Sequence, residues 1–132
     1  MSLEVEVAGL GRADGGLAAE DVEQLVALAL ASAGIEDGHV GVSFVEPEEI
    51  RALNREHRDR DAATDVLSFP VDGGGPAAGP RELGDVVICP PETADLREAV
   101  IHGTLHLAGM DHDTDEGEML TLQREIMRWL EP

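Results

Sequence analysis

Hydrophobic and polar positions first alternate at Leu3 to Val7, Leu-Glu-Val-Glu-Val, which predicts a half-buried strand with its acids in water. Gly9 to Gly16 interrupts the pattern as a glycine-rich loop and lacks the spacing of a dinucleotide or phosphate loop. From about Ala18 to Ala33 the period lengthens to that of a helix. Val22, Leu25, Val26, Ala29 and Leu30 share its core face, acids occupy its first turn, and Gly34 closes it. Val40 to Val45 reads as a second strand, with Val40, Val42 and Phe44 on one side. Pro47 suits the first turn of a second helix, where its missing N–H costs nothing, and Ile50 and Leu53 anchor that helix.

Thr64 to Pro70 is a third strand ended by proline, Val71 to Arg81 a loop of Gly, Pro and Ala, and Leu83 to Cys89 a fourth strand. Pro90-Pro91 stops that strand. The helical period then resumes, with Leu96, Val100, Gly103 and Leu107 in one stripe joined by Ile101, Leu105 and Ala108. Asp113, with Glu116 in the reciprocal position, is the expected cap of a last helix. Met119, Leu122, Gln123, Ile126, Met127, Trp129 and Leu130 form its mostly buried side, with Trp129 a core or rim aromatic. The order β-α-β-α-β-β-α-α predicts an α+β fold, four strands with helices laid against them. Residues 1–132 read as a single domain, large enough to bury roughly two-thirds of its unfolded surface.

Two residues stand out within the fourth strand. Asp85 interrupts an apolar run, either as an edge residue facing water or as a partner for the loop carrying Thr64 and Asp65. Cys89, the lone cysteine, excludes an internal disulfide framework and fits a reducing compartment. A packed, inert thiol is its expected role, with metal ligation or nucleophilic chemistry as the alternative. The first ten residues have no basic region followed by a long apolar one, and no apolar run approaches membrane length, so a cytoplasmic protein with no membrane partner is expected.

Charge changes the picture further. Twenty-eight acids stand against nine arginines and no lysine, a formal net charge of -19. Such a charge favours separate monomers and repels nucleic acid at long range. A generally acidic surface and adaptation to high salt both produce it. Against this background Arg51, Arg55, Arg58 and Arg60 place four of the nine arginines within ten positions. They form either a solvated, salt-bridged helix face or a phosphate-binding patch, where the guanidinium fork matches phosphate oxygens.

The strongest chemical signal is His102-Gly-Thr-Leu-His106-Leu-Ala-Gly-Met-Asp-His112, which holds three of the five histidines. Residues four apart share a helix face, so His102 and His106 stand one above the other. Gly109 offers the positive φ of a helix end, and the turned chain can return His112 over the first two. Three neutral imidazoles with an open fourth position match a catalytic zinc site rather than a closed structural one. Nickel or cobalt could occupy the same ligands. The spacing also resembles the extended zinc motif of the metzincin peptidases, but Gly103 stands where those enzymes carry the glutamate base. Without that base, peptide hydrolysis is disfavoured.

A closer resemblance covers more of the chain. HGTLHLAGMDH is similar to the signature of the YbeY family of endoribonucleases and ribosomal-RNA maturation factors. Leu53-Asn54, Arg58 and Thr64 to Pro70 resemble the family's second block, and Leu83-Gly84-Asp85-Val86-Val87-Ile88 its third. The resemblance implies a zincin-like fold with a four-stranded mixed sheet, and one zinc ion held by His102, His106 and His112. It further implies single-stranded ribosomal RNA as substrate, a role in small-subunit RNA maturation and ribosome quality control, and the small subunit or assembly factors as partners. Arg58 matches a family residue expected to face the metal and contact RNA.

Three departures qualify the match. His57 stands where the family usually has an aromatic, free either to stack on a base or to face solvent. Ala63 replaces a proline. Only sixteen residues separate Asp85 from His102, fewer than is usual, so a helix of the relatives is expected to be shortened or merged here.

For mechanism, the expectation is that water or the RNA 2′-hydroxyl is activated at the metal, with Arg58 as a second positive contact to the scissile phosphate. Asp111 and Asp65 are expected to orient a ligand imidazole through its other nitrogen, with general base as their alternative role. Two other functions fit the same sequence: a ribosome-assembly factor whose metal is mainly structural, and another metal-dependent hydrolase.

Overall fold

The computed structural model describes residues 3–10, 17–71 and 81–130. The centres of the two expected loops, Gly9–Gly16 and Val71–Arg81, lie outside these residues. Strands β1 (Leu3–Ala8), β2 (Gly38–Phe44), β3 (Val66–Pro70) and β4 (Glu82–Ile88) form one sheet in the order β1-β2-β4-β3. The first two pairings are parallel and the last antiparallel, so the sheet is mixed. Helices α1 (Ala19–Ser32), α2 (Pro47–Arg58), α3 (Leu96–Leu107) and α4 (Glu118–Leu130) complete the α+β, zincin-like arrangement. A single 3-10 turn, Pro90–Glu92, fills the short link before α3.

The sheet separates two cores. Val40, Val42, Phe44, Val86 and Ile88 face the larger one, where α1 and α3 pack, with Met119 and Ile126 of α4 beside them. Leu67, Val87 and Cys89 point the other way and meet Ile50 and Leu53 of α2. Strand side chains alternate between faces, so α2 lies on the opposite side of the sheet from α3. Leu83 departs from this alternation because a bulge shifts the β2–β4 register there, with Gly84 at a φ of +133°. That shift lets both Leu83 and Val86 reach the larger core.

Asp85 therefore neither occupies an edge strand nor bonds to the Thr64–Asp65 loop. It faces solvent from a central strand, and its carboxylate fills the space that Gly41 of the neighbouring strand leaves open. Cys89 is fully buried against Ile50, and burial raises its thiol pKa, in keeping with an inert core residue. Trp129, by contrast, is 74% exposed rather than part of the core. It lines a groove of about 1150 Å³ with Leu17, Leu28, Leu96 and Leu130, formed by α1, the segment before α3 and the end of α4.

On the face turned away from α1, His39 of β2 bridges two other strands. Its Nδ1 lies 2.8 Å from Glu82 and its Nε2 3.2 Å from Glu6. The hydrogen bond to Glu82, above all, raises its pKa from the ordinary value of 6.5. A raised folded pKa gives stability that is complete below the unfolded value and lost as pH rises through the folded one. Urea midpoints of the wild type and His39→Gln should therefore differ most near pH 5.5 and converge above neutrality. A gap that widens with pH would contradict this ion cluster's role.

Candidate metal centre

Asp95 starts the histidine helix by accepting hydrogen bonds from the backbone N–H groups of Arg97 and Glu98. The helix then seats closely on the sheet at Gly103, whose carbonyl accepts a 3.0 Å bond from Ser68 Oγ. A Cβ at Gly103 would stand 2.5 Å from Val86 Cγ1, so only glycine permits this approach. The residue after the first histidine is thereby committed to packing.

The helix ends as the sequence predicts. Gly109, at a φ of +95°, donates to the His106 carbonyl, and Met110 N–H donates to that of Leu105. These two bonds make a Schellman turn. It reverses the chain so that the Met110 carbonyl lies 3.0 Å from His106 Nδ1. Asp111 builds the next turn. Its carboxylate accepts from Asp113 N–H and its carbonyl from the N–H groups of Thr114 and Asp115. His112 is carried between the two turns.

The three imidazoles converge. Ring centroids lie 4.9 Å apart for His102–His106, 5.2 Å for His102–His112 and 5.1 Å for His106–His112. One nitrogen from each lies within 4.8 Å of those of the others. Nδ1 is hydrogen-bonded in two of them, to Gln123 Oε1 at 2.7 Å for His102 and to the Met110 carbonyl at 3.0 Å for His106, while Asp113 Oδ1 stands 3.3 Å from that of His112 as an ion-pair contact. For His102 and His106 an acceptor at Nδ1 favours the tautomer with its proton there and the lone pair on Nε2, the form in which an imidazole binds a metal. Burial, followed by the charge of His102, lowers the pKa of His106 and favours its neutral form. The donor set fits zinc with a position left open.

Asp111, His112 and Asp113 form a second, overlapping group of possible donors. Asp111 is already engaged in the turn, accepting from Asp113 N–H, and the exposed Asp113 carboxylate lies 3.3 Å from His112 Nδ1. The expected imidazole partners, Asp111 and Asp65, are thus not the ones observed. Asp65 sits at the head of β3, where its carboxylate accepts from Val66 N–H and Thr64 Oγ and its carbonyl from Cys89 N–H. That is three residues, about 10 Å of strand, from Ser68, the point at which β3 meets Gly103.

Gln123 and Asp113 were not among the expected site residues. Gln123 had one sequence signal, a polar side chain on the buried face of the last helix. Asp113 was expected to cap that helix. Asp115 does so instead, accepting from Gly117 and Met119 N–H, bonds that lower its pKa.

The arginines lie on α2 and just beyond it. Arg51 is clamped by Asp61, through Nε at 2.8 Å and Nη2 at 3.2 Å, and helps to hold the turn after the helix. Arg55, Arg58 and Arg60 are exposed. His57 takes neither of its two expected roles alone. It is half-exposed and packs edge-on against Phe69, with centroids 5.0 Å apart. Phe69 and Ser68 are neighbours on β3, the edge strand. The end of α2 and the histidine helix thus meet that strand at adjacent residues, from opposite sides.

Comparison with known proteins agrees with this geometry. The family model described as Endoribonuclease YbeY matches residues 16–131. A Rubrobacter xylanophilus protein of that description is 42% identical over 135 residues, covering 96% of both chains. One from Geobacillus kaustophilus is 40% identical over 130 residues, covering 82% of this chain and 83% of that one. The solution structure of TM1509 from Thermotoga maritima superposes with a TM-score of 0.58 at 29% identity, over 92% of this chain and 85% of that one. Among the described residues, no helix is long and apolar enough to cross a membrane.

Proposed function

Because the chain belongs to the YbeY endoribonuclease family, we propose that it is a zinc-dependent, single-strand-specific endoribonuclease of the cytoplasm, acting as one domain in late maturation of small-subunit ribosomal RNA and in ribosome quality control. The observation that carries this reading is the set of three converging imidazoles, two of them with Nδ1 already hydrogen-bonded. His102, His106 and His112 would hold the ion. Bound there, zinc would supply Lewis acidity, acidifying water and neutralising charge on a phosphoryl oxygen. Nickel or cobalt would suit the same nitrogens.

The chain's own residues do the rest. Arg58 reaches the scissile phosphate across edge strand β3, a path supported by the contacts of His57 and Gly103 on opposite sides of that strand. Arg55, Arg60 and His57 line the approach of the RNA, and Arg51 secures their turn through Asp61. Asp111 and Asp65 serve through the turns they build. The partners are single-stranded ribosomal RNA and the small subunit, bound by a monomer.

The test is cleavage of a single-stranded ribosomal-RNA 3′ fragment by wild-type protein, by protein stripped of metal, and by stripped protein resupplied with zinc. Cleavage should vanish on stripping and return with zinc. Arg58→Ala should slow it by about a hundredfold without changing zinc affinity. Cleavage that survives stripping would reject the metal-dependent reading. No cleavage under any condition, with saturable binding to the small subunit, would instead favour an assembly factor whose metal is structural.

A further inference from the structure

We infer that Gln123 is a positioning residue for the proposed metal centre, fixing the tautomer of His102 and, as a neutral amide, holding metal affinity below what a carboxylate there would give. The inference rests on the reading that the three histidines bind a divalent metal. Gln123 belongs to α4, twenty-one residues beyond the histidine it contacts, and its Oε1 lies 2.7 Å from His102 Nδ1. Its side chain is only 9% exposed, one of three buried polar residues among those described, on a helix face it shares with Met119 and Ile126. A polar group buried there needs a partner to offset its lost hydration. His102 provides one.

The amide's orientation has a chemical consequence. With Oε1 toward the ring, Nδ1 must donate, so the Nε2 lone pair is free for the cluster. The reversed amide would donate to Nδ1, place the ring proton on Nε2 and disable the ligand. The groups beside the three Nδ1 atoms also differ in kind. His106 has a backbone carbonyl, His112 an exposed carboxylate and His102 a buried neutral amide. A carboxylate accepts more strongly and makes the opposite ring nitrogen a better donor to metal. Gln123 thus provides orientation without the added basicity, and only the folded α4 can supply it.

The test compares wild type, Gln123→Glu and Gln123→Met, a variant of similar length without an acceptor. Zinc affinity is measured by competition with a chromophoric chelator, and the His102 tautomer in metal-free protein by nitrogen NMR. The expected order of affinity is Glu, then Gln, then Met. Gln123→Met should lose about 10- to 100-fold, and its His102 should no longer be held with the proton on Nδ1. Gln123→Glu should keep that tautomer and bind zinc about tenfold more tightly than wild type. Unchanged affinity and tautomer in Gln123→Met, or weaker binding by a folded Gln123→Glu, would overturn the inference. If Gln123→Met fails to fold, the Glu variant decides. Equal zinc affinity in wild type and His106→Ala would instead overturn the metal reading on which the inference depends.

Discussion

His106→Ala is expected to fold, to bind zinc roughly a thousandfold more weakly than wild type, and to lose RNA cleavage altogether. A complete protein zinc site is worth about 10–16 kcal/mol, so loss of one of three ligands removes about a third of it. The same loss should appear in stability. At free zinc about a thousandfold above its Kd, the wild type gains about 4 kcal/mol through linkage. For a chain of this size that is a rise of roughly 10–15 °C in Tm, and His106→Ala should show almost none of it. Thermal unfolding with and without zinc provides the check, alongside cleavage by protein purified in parallel to exclude contaminating ribonuclease. A variant that cleaved like wild type would mean that the activity lies elsewhere.

Gly103→Ala is expected to destabilise the protein by about 2 kcal/mol even though alanine is the better helix former. Propensity alone would favour alanine by about 1 kcal/mol. Against it stands a Cβ 2.5 Å from Val86 Cγ1 and 3.1 Å from Ser68 Oγ. Val86 is fully buried on a central strand, and its branched side chain has little freedom to turn aside. Overpacking of this kind costs about 1–3 kcal/mol, and displacement of the Ser68 bond about 1 more. The clash outweighs the propensity. A double-mutant cycle with Val86→Ala should recover at least about 1 kcal/mol as coupling between the two sites. Additive effects would place the strain elsewhere. Gly103→Glu, the residue a metzincin would carry here, should fail to fold under the same conditions. Packing against Val86 thus supplies a steric reason for what the sequence registered only as a missing base.

Patterns confined to one element were legible in the sequence. The alternation of Leu3 to Val7, the core face from Val22 to Leu30, Pro47 at the start of its helix and Gly109 at the end of another all lie within a few residues of their physical cause. The convergence of His102, His106 and His112 was readable for the same reason, since helix period and one glycine turn create it. Relations across the fold were harder. Periodicity shows which face of α2 is apolar but not which side of the sheet receives it, so the placement of Arg58 opposite α3 was not accessible. Arg51 meets Asp61 ten residues away through a turn shaped by Asp59 in left-handed conformation and by Asn54. Gln123 meets His102 only because α4 docks on α3. Trp129 shows the converse, for its position on a helix wheel favoured burial but no element among the described residues covers it.

The position of the three histidines along the chain also orders events during synthesis. The last strand ends at Ile88, so every strand of the sheet has been made before His102. All three histidines then appear within eleven residues, while Gln123 follows eleven residues after His112. A growing chain thus owns the three histidines before it owns the side chain that holds His102 in register. Helix α4 is thus the element that completes the surroundings of His102 after the sheet and the three histidines have been made.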